Sequence, residues 1–122
     1  MSVDRTLIIQ SKTDTIRARM EVREAARLIG LDTRDQALIS LATSSLIDGL
    51  GWGTGREAGT ITIESLNGEK KRGLQVIYTL DNTNNNERVM GLTKSVRWMV
   101  DTLDVRDPVG DRMKIAMIKW AA

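Results

Sequence analysis

Residues 33–55, TRDQALISLATSSLIDGLGWGTG, decide the fold of this chain, because an amphipathic segment runs directly into closely spaced glycines. Thr33 and Gln36 have the spacing of a capping box. In that motif the threonine hydroxyl accepts a bond from a backbone N–H and the glutamine side chain reaches back to the cap. We therefore predict that a helix begins at Thr33.

Small and apolar residues recur along this helix at steps of three and four, which is the stripe that a helix buries against a sheet. The residues of the stripe are Ala37, Leu38, Leu41, Ala42, Ser45 and Leu46. Glycine loses more backbone entropy than alanine in a helix and readily adopts left-handed conformations. Gly49, Gly51, Gly53 and Gly55 are therefore expected to end the helix in a loop.

The composition restricts both the architecture and the chemistry. A chain of 122 residues, 41% of them hydrophobic, fits a single domain over residues 1–122 with one core. Cysteine and histidine are both absent, which excludes disulfides, thiol and imidazole chemistry and the ordinary zinc sites, so we expect no metal site. With three Trp, one Tyr and no Phe, the chain has too few aromatic residues for a base-stacking surface.

Charge and hydropathy indicate the compartment and exclude two kinds of partner. The net charge is only +2, and the basic cluster at 70–72 falls at a predicted hairpin tip, so we expect no nucleic-acid partner. No apolar run has the length of a signal peptide or approaches the ~20 residues of a membrane span. We expect a soluble cytoplasmic protein with no membrane partner.

The rest of the chain alternates between strand and helix patterns. The predicted elements are a strand at 6–10, a helix from 13 or 14 to 30, the helix described above, a hairpin of strands at 60–64 and 74–80, a helix through 89–103, a loop at 104–111 and a strand at 113–120. This order predicts an α+β fold. It is a two-layer α/β sandwich, with a mixed sheet of about four or five strands and three helices on one face. The other sheet face is left partly open.

Each flanking helix has an apolar pattern of its own. In the first helix Thr13 and Asp14 offer N-cap oxygens. The helix is then traced by Ile16, Met20, Arg23 and Arg27 together with the apolar set Val22, Ala25, Ala26 and Ile29. In the third helix the stripe is Val89, Leu92, Val96, Met99, Val100 and Leu103. Trp98 falls off that stripe, so it either packs on a loop or belongs to a partner surface.

One glycine motif invites a nucleotide interpretation that its context excludes. Residues 53–58, GTGREA, match G-x-G-x-x-G/A, which in dinucleotide-binding enzymes places pyrophosphate at a helix N-terminus. Here the motif follows a helix and precedes a strand, so no helix N-terminus faces a phosphate. We therefore exclude a dinucleotide-binding unit.

A family resemblance rests on the first two helices. Residues 14–30, 33–37 and 42–46, with Ile39, resemble the switch and anti-sigma-factor serine kinases, most closely the RsbT-like stressosome switch proteins. Those proteins belong to the GHKL, or Bergerat-fold, ATPase superfamily. The resemblance continues at 63–64, 73–74, 81, 91–92, 97, 99 and 116–120 and so covers nearly the whole chain. It implies a single GHKL ATPase-like domain.

The resemblance also implies where an ATP site would lie. In the family, a glutamate on the second helix acts as general base, and an asparagine four residues later helps to hold Mg²⁺ against the ATP phosphates. The matching positions are Ser45, which cannot accept a proton as a carboxylate does, and Gly49, which has no side-chain oxygen. We therefore expect no catalytic residue in this chain.

The adenine-binding motif and the phosphate-covering lid of the family are also altered. Asp81 stands at the adenine-binding aspartate, but Thr83 and Asn85 replace the glycines that follow it. Only nine residues separate Asp81 from Gly91, where the family inserts a longer, glycine-rich lid. No cofactor is expected. If ATP and Mg²⁺ were still bound, Asp81 and Gly91 would contact the nucleotide.

These substitutions favour a pseudokinase: a non-catalytic regulator in partner switching and stress signalling. The resemblance implies a STAS-domain antagonist as partner, or a related phosphatase or sigma factor. The partner-binding residues would be Arg17, Arg23, Arg27, Arg34, Asp35 and Trp98. An active ATP-dependent serine kinase that uses Glu57, Glu64 or Asn82 in place of the lost groups is the alternative. A homodimeric scaffold that uses the open sheet face is a third possibility.

Overall fold

The computed structural model describes residues 4–54, 57–81, 86–106 and 112–121. The elements, in order, are β1 Asp4–Ile9, α1 Lys12–Leu28, α2 Thr33–Leu50, β2 Gly59–Asn67, β3 Arg72–Asp81, α3 Asn86–Val96, β4 Thr102–Arg106 and β5 Arg112–Trp120. Short 3₁₀ turns follow α2 at Trp52–Thr54 and α3 at Arg97–Met99.

The strands form one open sheet of five strands in the order β1-β2-β3-β5-β4, and the fold class is confirmed as α+β with two layers. Every pairing in this sheet is antiparallel, so the predicted mixed sheet is wrong in that respect. The reason is β4, which begins within the predicted third helix and ends within the predicted loop at 104–111. Because β4 and β5 form a hairpin, the chain reverses once more before β5 pairs with β3.

Matching rows of apolar side chains form the inner face of the sheet, which is covered by the helices. Ile61, Tyr78 and Ile115 lie side by side on β2, β3 and β5, and all three are fully buried. The alternate residues face the other way. Thr62 and Ile77 on that outer face are only half-buried, as the partly open face predicts.

The second helix begins and ends as predicted, but its cap differs. Asp32 is the N-cap: its carboxylate accepts a bond from the backbone N–H of Asp35 at 2.8 Å. The Gln36 side chain donates instead to the Leu31 carbonyl, at 2.8 Å, so the capping box at Thr33 is wrong. Gly51 ends the helix in the left-handed region, with φ 78°, a conformation that glycine adopts at no steric cost.

The buried stripe of α2 is rotated from the predicted one. The buried apolar residues and the threonine among them are Ile39, Ala42, Thr43, Leu46, Ile47 and Leu50. Of the predicted stripe, Ala42 and Leu46 are buried, whereas Leu41 remains 43% exposed. Both sets repeat every three or four residues, and the set with the two isoleucines buries more apolar surface.

In α1 the N-cap differs from the prediction, and two large apolar side chains are exposed. Ser11, one residue before the helix, accepts a bond from the Asp14 backbone N–H at 3.2 Å, so Thr13 and Asp14 are not the cap. The buried face consists of small residues and one valine: Thr15, Ala18, Val22, Ala25 and Ala26. The predicted apolar set is buried, whereas Ile16 and Met20, which also trace the helix, face solvent.

The third helix is shorter than predicted. It ends at Val96 and continues as a 3₁₀ turn to Met99, and Leu103 belongs to β4. Val89, Val96, Met99, Val100 and Leu103 are nevertheless buried, as the stripe predicted. The sequence pattern therefore identified the core residues and assigned the last of them to the wrong element.

Candidate functional site

The two positions that the resemblance matches to a general base and a metal ligand, Ser45 and Gly49, lie one turn apart on α2, on the side that faces α3. Ser45 and Gly49 are both half-buried. A Cβ built on Gly49 would overlap the Leu92 side chain of α3. An asparagine could enter this position only if Leu92 moved, so α3 occupies the space that a metal-binding side chain would need.

Trp52 closes the end of α2 next to this position. Its side chain is 3% exposed, and its ring centroid lies 6.0 Å from that of Tyr78 on β3. The indole also covers Gly59 on β2, where an added Cβ would overlap the ring. The space between the end of α2, β2 and β3 is thus filled by an aromatic side chain.

Tyr78 anchors this aromatic cluster to α2. Its hydroxyl donates a hydrogen bond to the backbone carbonyl of Thr43 at 3.0 Å. Complete burial raises the pKa of Tyr78 far above its ordinary value. The phenol therefore stays neutral and holds β3 against the middle of α2.

Of the two predicted nucleotide contacts, only Gly91 has surroundings that the structure describes. Asp81 ends β3, but its side chain lies outside the described residues, as do Asn82, Thr83, Asn85 and Gly55. Gly91 lies on an exposed position of α3, with nothing within 4 Å of a Cβ built there. Within the described ranges, no group of three or more acidic side chains could hold a metal ion.

Of the two carboxylates proposed as substitutes, Glu64 does not lie beside Ser45. Glu64 pairs with Gln75 on the outer face of the sheet, where the Gln75 amide donates to its carboxylate at 3.2 Å. The sheet therefore separates Glu64 from α2. Glu57 is exposed in the segment before β2.

A cleft of about 440 Å³ lies between α3 and the β4–β5 hairpin. It is mainly apolar, and its lining comprises Val89, Met90, Arg97, Leu103, Asp104, Val105 and Met113. None of the family positions on α2 contributes to it. The cleft is therefore separate from Ser45 and Gly49.

Two of the predicted partner-binding arginines are paired with carboxylates of their own helix. Arg17 lies 3.5 Å from Glu21 and also lines a cleft beside β1. Arg27 lies 2.6 Å from Glu24, and their hydrogen bond lowers the pKa of Glu24 and raises that of Arg27. Their charges are already compensated within α1.

Asp35 takes part in a bridge between the two layers. Its carboxylate lies 3.4 Å from Nζ of Lys119 on β5, and the same Nζ lies 3.6 Å from Asp101. Lys119 is mostly buried, with 12% of its side chain exposed. The partner role predicted for Asp35 therefore competes with a contact that ties α2 to the sheet.

Arg23, Arg34 and Trp98 are exposed, and the described part of the chain gives neither arginine an ion-pair partner. Trp98 is 68% exposed on the 3₁₀ turn after α3, which contacts α2. The six predicted residues do not form one surface, because Arg17 borders β1 whereas Arg23 lies on the side of α1 that faces α2.

The sequence prediction missed a groove on the outer surface of the helix layer. It is lined by Ile16, Arg19, Met20 and Arg23 of α1 and by Ser40 of α2. The signal was available, because Ile16 and Met20 are four residues apart and lie off the stripe of Ala18, Val22, Ala25 and Ala26.

No protein-family model matches the chain, and no curated protein matches it. Within the described residues, no helix is both long enough and apolar enough to cross a membrane.

Proposed function

We propose that this chain is a non-catalytic relative of the RsbT-like switch and anti-sigma-factor kinases that acts by binding a protein partner. The partner would be a STAS-domain antagonist, or a related phosphatase or sigma factor, in the cytoplasm. The observation that carries the proposal is the contact between Leu92 and Gly49 at the family's metal position. That space is filled by apolar side chains where the kinases need an oxygen ligand.

The chemistry at Ser45 supports the same conclusion. A general base must accept a proton near neutral pH, which a carboxylate does and an aliphatic hydroxyl does not. Glu64 does not replace it, since Glu64 lies on the far side of the sheet. Without a base and a metal ligand, each of which contributes a large factor to phosphoryl transfer, ATP-dependent transfer is not expected.

Exposed charge on α1 and α2 supports a binding role. Arg23 and Arg34 are exposed and unpaired within the described residues, and Trp98 presents a large amphipathic side chain. Arginine and tryptophan are the residues in which binding energy at protein interfaces is most often concentrated. These three residues are the part of the predicted partner set that remains available for contact.

The test combines a catalytic and a binding assay. The protein is incubated with labelled ATP, Mg²⁺ and a STAS-domain partner, and calorimetry measures its association with the same partner. We expect association without phosphate transfer. Transfer that is abolished in an Asp81→Ala variant would establish the active-kinase alternative instead.

The half-buried outer face of the sheet favours the third possibility, a homodimeric scaffold. Thr62 and Ile77 lie in the middle of that face, and Ile8 at its edge is 65% exposed. Sedimentation equilibrium over a range of protein concentrations tests this possibility. A monomer at all concentrations excludes the scaffold and leaves the partner-binding function in place.

A further inference from the structure

The groove between α1 and α2, which we call the arginine groove, is lined by Ile16, Arg19, Met20, Arg23 and Ser40. Its volume is about 180 Å³. Sites for drug-sized ligands usually enclose about 300–1,000 Å³, so this groove suits side chains of a docked protein segment better than a small molecule.

Apolar side chains in the arginine groove are unusually exposed. Ile16 is 59% exposed and Met20 is 67% exposed, and the two lie one helical turn apart. Single exposed apolar residues are common, but a group of them around one groove is typical of an interaction surface.

The charge of the arginine groove is uncompensated. Within the described residues Arg19 and Arg23 form no ion pair, whereas Arg17 and Arg27 on the same helix each pair with a glutamate. Like charges four residues apart on a helix repel each other. An acidic group placed beside Arg19 and Arg23 would remove that repulsion, so the surface is complementary to a negatively charged partner segment.

We propose that the arginine groove binds an acidic amphipathic helix of a partner protein. Its apolar side chains would lie on Ile16 and Met20, and its carboxylates would lie beside Arg19 and Arg23. Two packed helices form a groove whose surface repeats every three or four residues, which matches the spacing of side chains on a docked helix. The inference rests on the proposed function, because it names the kind of segment by which a partner would be recognised.

A designed peptide provides the probe. It is a synthetic helix of about 15 residues with Leu on one face and Glu on both flanks. One control peptide carries Lys in place of every Glu, and a second has the acidic composition with its leucines spread around the helix. Binding is measured by fluorescence anisotropy, and the contact surface by amide chemical shifts of the ¹⁵N-labelled full chain.

Charge reversal identifies the residues involved. In the Arg19→Glu/Arg23→Glu variant we expect about tenfold weaker binding of the acidic peptide and a new preference for the basic one. The matched control is Arg17→Glu/Arg27→Glu, which makes the same charge change on the same helix outside the groove. It should bind like the unmodified protein, and circular dichroism confirms that both variants fold.

Several results would overturn the inference. Equally tight binding of the acidic and basic peptides, in place of a preference for the acidic one, or no binding of the acidic peptide at about 1 mM, would contradict the proposed charge complementarity. Amide chemical-shift changes centred away from α1 and α2 would place the binding site elsewhere. Tighter binding of a single-stranded oligonucleotide than of the acidic peptide would indicate a nucleic-acid surface instead.

The same variants separate the groove from the proposed function. If a STAS-domain partner binds the Arg19→Glu/Arg23→Glu variant normally and the acidic peptide does not bind the unmodified protein, the groove inference fails and the proposed function stands. If the acidic peptide binds in the groove and no STAS-domain, phosphatase or sigma-factor partner associates, the proposed function fails and the groove inference stands.

Discussion

The two sides of α2 differ in how they meet their neighbours. On the side of Gly49, Leu92 of α3 fills the space above the glycine, and Trp52 closes the adjoining end. On the side of Ser40, α1 and α2 leave a groove with exposed Ile16 and Met20. The resemblance to kinases places catalysis on the closed side and partner contact on the helices of the open side. Packing therefore covers the position that the resemblance matches to a metal ligand and leaves an open groove between α1 and α2.

Truncation of the buried Trp52 side chain should have the largest effect on the free energy of unfolding. Trp52→Ala would delete a buried indole that contacts Tyr78 and covers Gly59, and such truncations cost about 3–5 kcal/mol. Urea denaturation followed by circular dichroism measures the loss. Trp98→Ala is the control, because its ring is 68% exposed, and it should stay within about 0.5 kcal/mol of the unmodified protein. Equal losses would mean that Trp52 does not close this side.

A single added methyl group tests how tightly the closed side is packed. Gly59→Ala would push a Cβ into the buried Trp52 ring, and overpacking of this kind costs about 1–3 kcal/mol. Gly91→Ala makes the same change inside α3, with nothing within 4 Å, and should be neutral or stabilise by up to about 1 kcal/mol. Thermal unfolding of the pair measures both. If Gly59→Ala unfolds at the same temperature as the unmodified protein, the Trp52 ring can shift away from the added Cβ at little energetic cost.

Tyr78 gives the closed side a pH dependence at alkaline pH. Because burial raises its pKa in the folded state, the folded protein holds this proton more tightly than the unfolded chain. That stability is fully present below the unfolded pKa of about 10 and is lost as pH rises above it.

Tyr78→Phe removes the hydrogen bond to Thr43, so at neutral pH it should lower the free energy of unfolding by about 1 kcal/mol. It should also lose less stability than the unmodified protein between neutral pH and pH values above the unfolded pKa. Denaturation curves at a series of pH values test both statements. Parallel losses in the two proteins would contradict the assigned burial.

The smallest effects are expected where α2 begins. Asp35→Asn weakens the partly buried bridge to Lys119 and should cost about 0.5–1 kcal/mol, with little change in partner affinity. Arg34→Gln, the next residue along the chain, should leave stability unchanged and weaken partner binding, because Arg34 is exposed. Calorimetry with a STAS-domain partner and chemical denaturation separate the two effects. If Asp35→Asn weakens binding more than Arg34→Gln does, Asp35 contacts the partner after all.

Much of the fold could be predicted from local sequence, and the errors have identifiable causes. The glycine end of α2 was predictable because Gly51 adopts a left-handed conformation that other residues avoid. The short strand β4 at Thr102–Arg106 was not predictable in this way. It follows directly on the apolar stripe of the third helix, and Leu103 also fits the spacing of that stripe. That omission produced the incorrect mixed sheet.

For the candidate site, the sequence predicted only which residue types stand at the two matched positions. Ser45 has no carboxylate that could act as a base, and Gly49 has no side-chain oxygen that could bind a metal. The sequence did not show that Leu92 covers Gly49, because that contact joins two helices distant along the chain. The arginine groove was missed for the same reason, since the exposure of Ile16 and Met20 depends on which face of α1 meets the sheet.

The sequence by itself determined the order of most elements, the residues available to the core and the absence of histidine and cysteine chemistry. These properties depend on composition and on periodicities within single elements. Only the tertiary structure decided the direction of every strand pairing, the closure of the space above Gly49 and the exposed face of α1. Each of those depends on which surfaces meet, and long-range packing selects among several local patterns that satisfy the same periodicity.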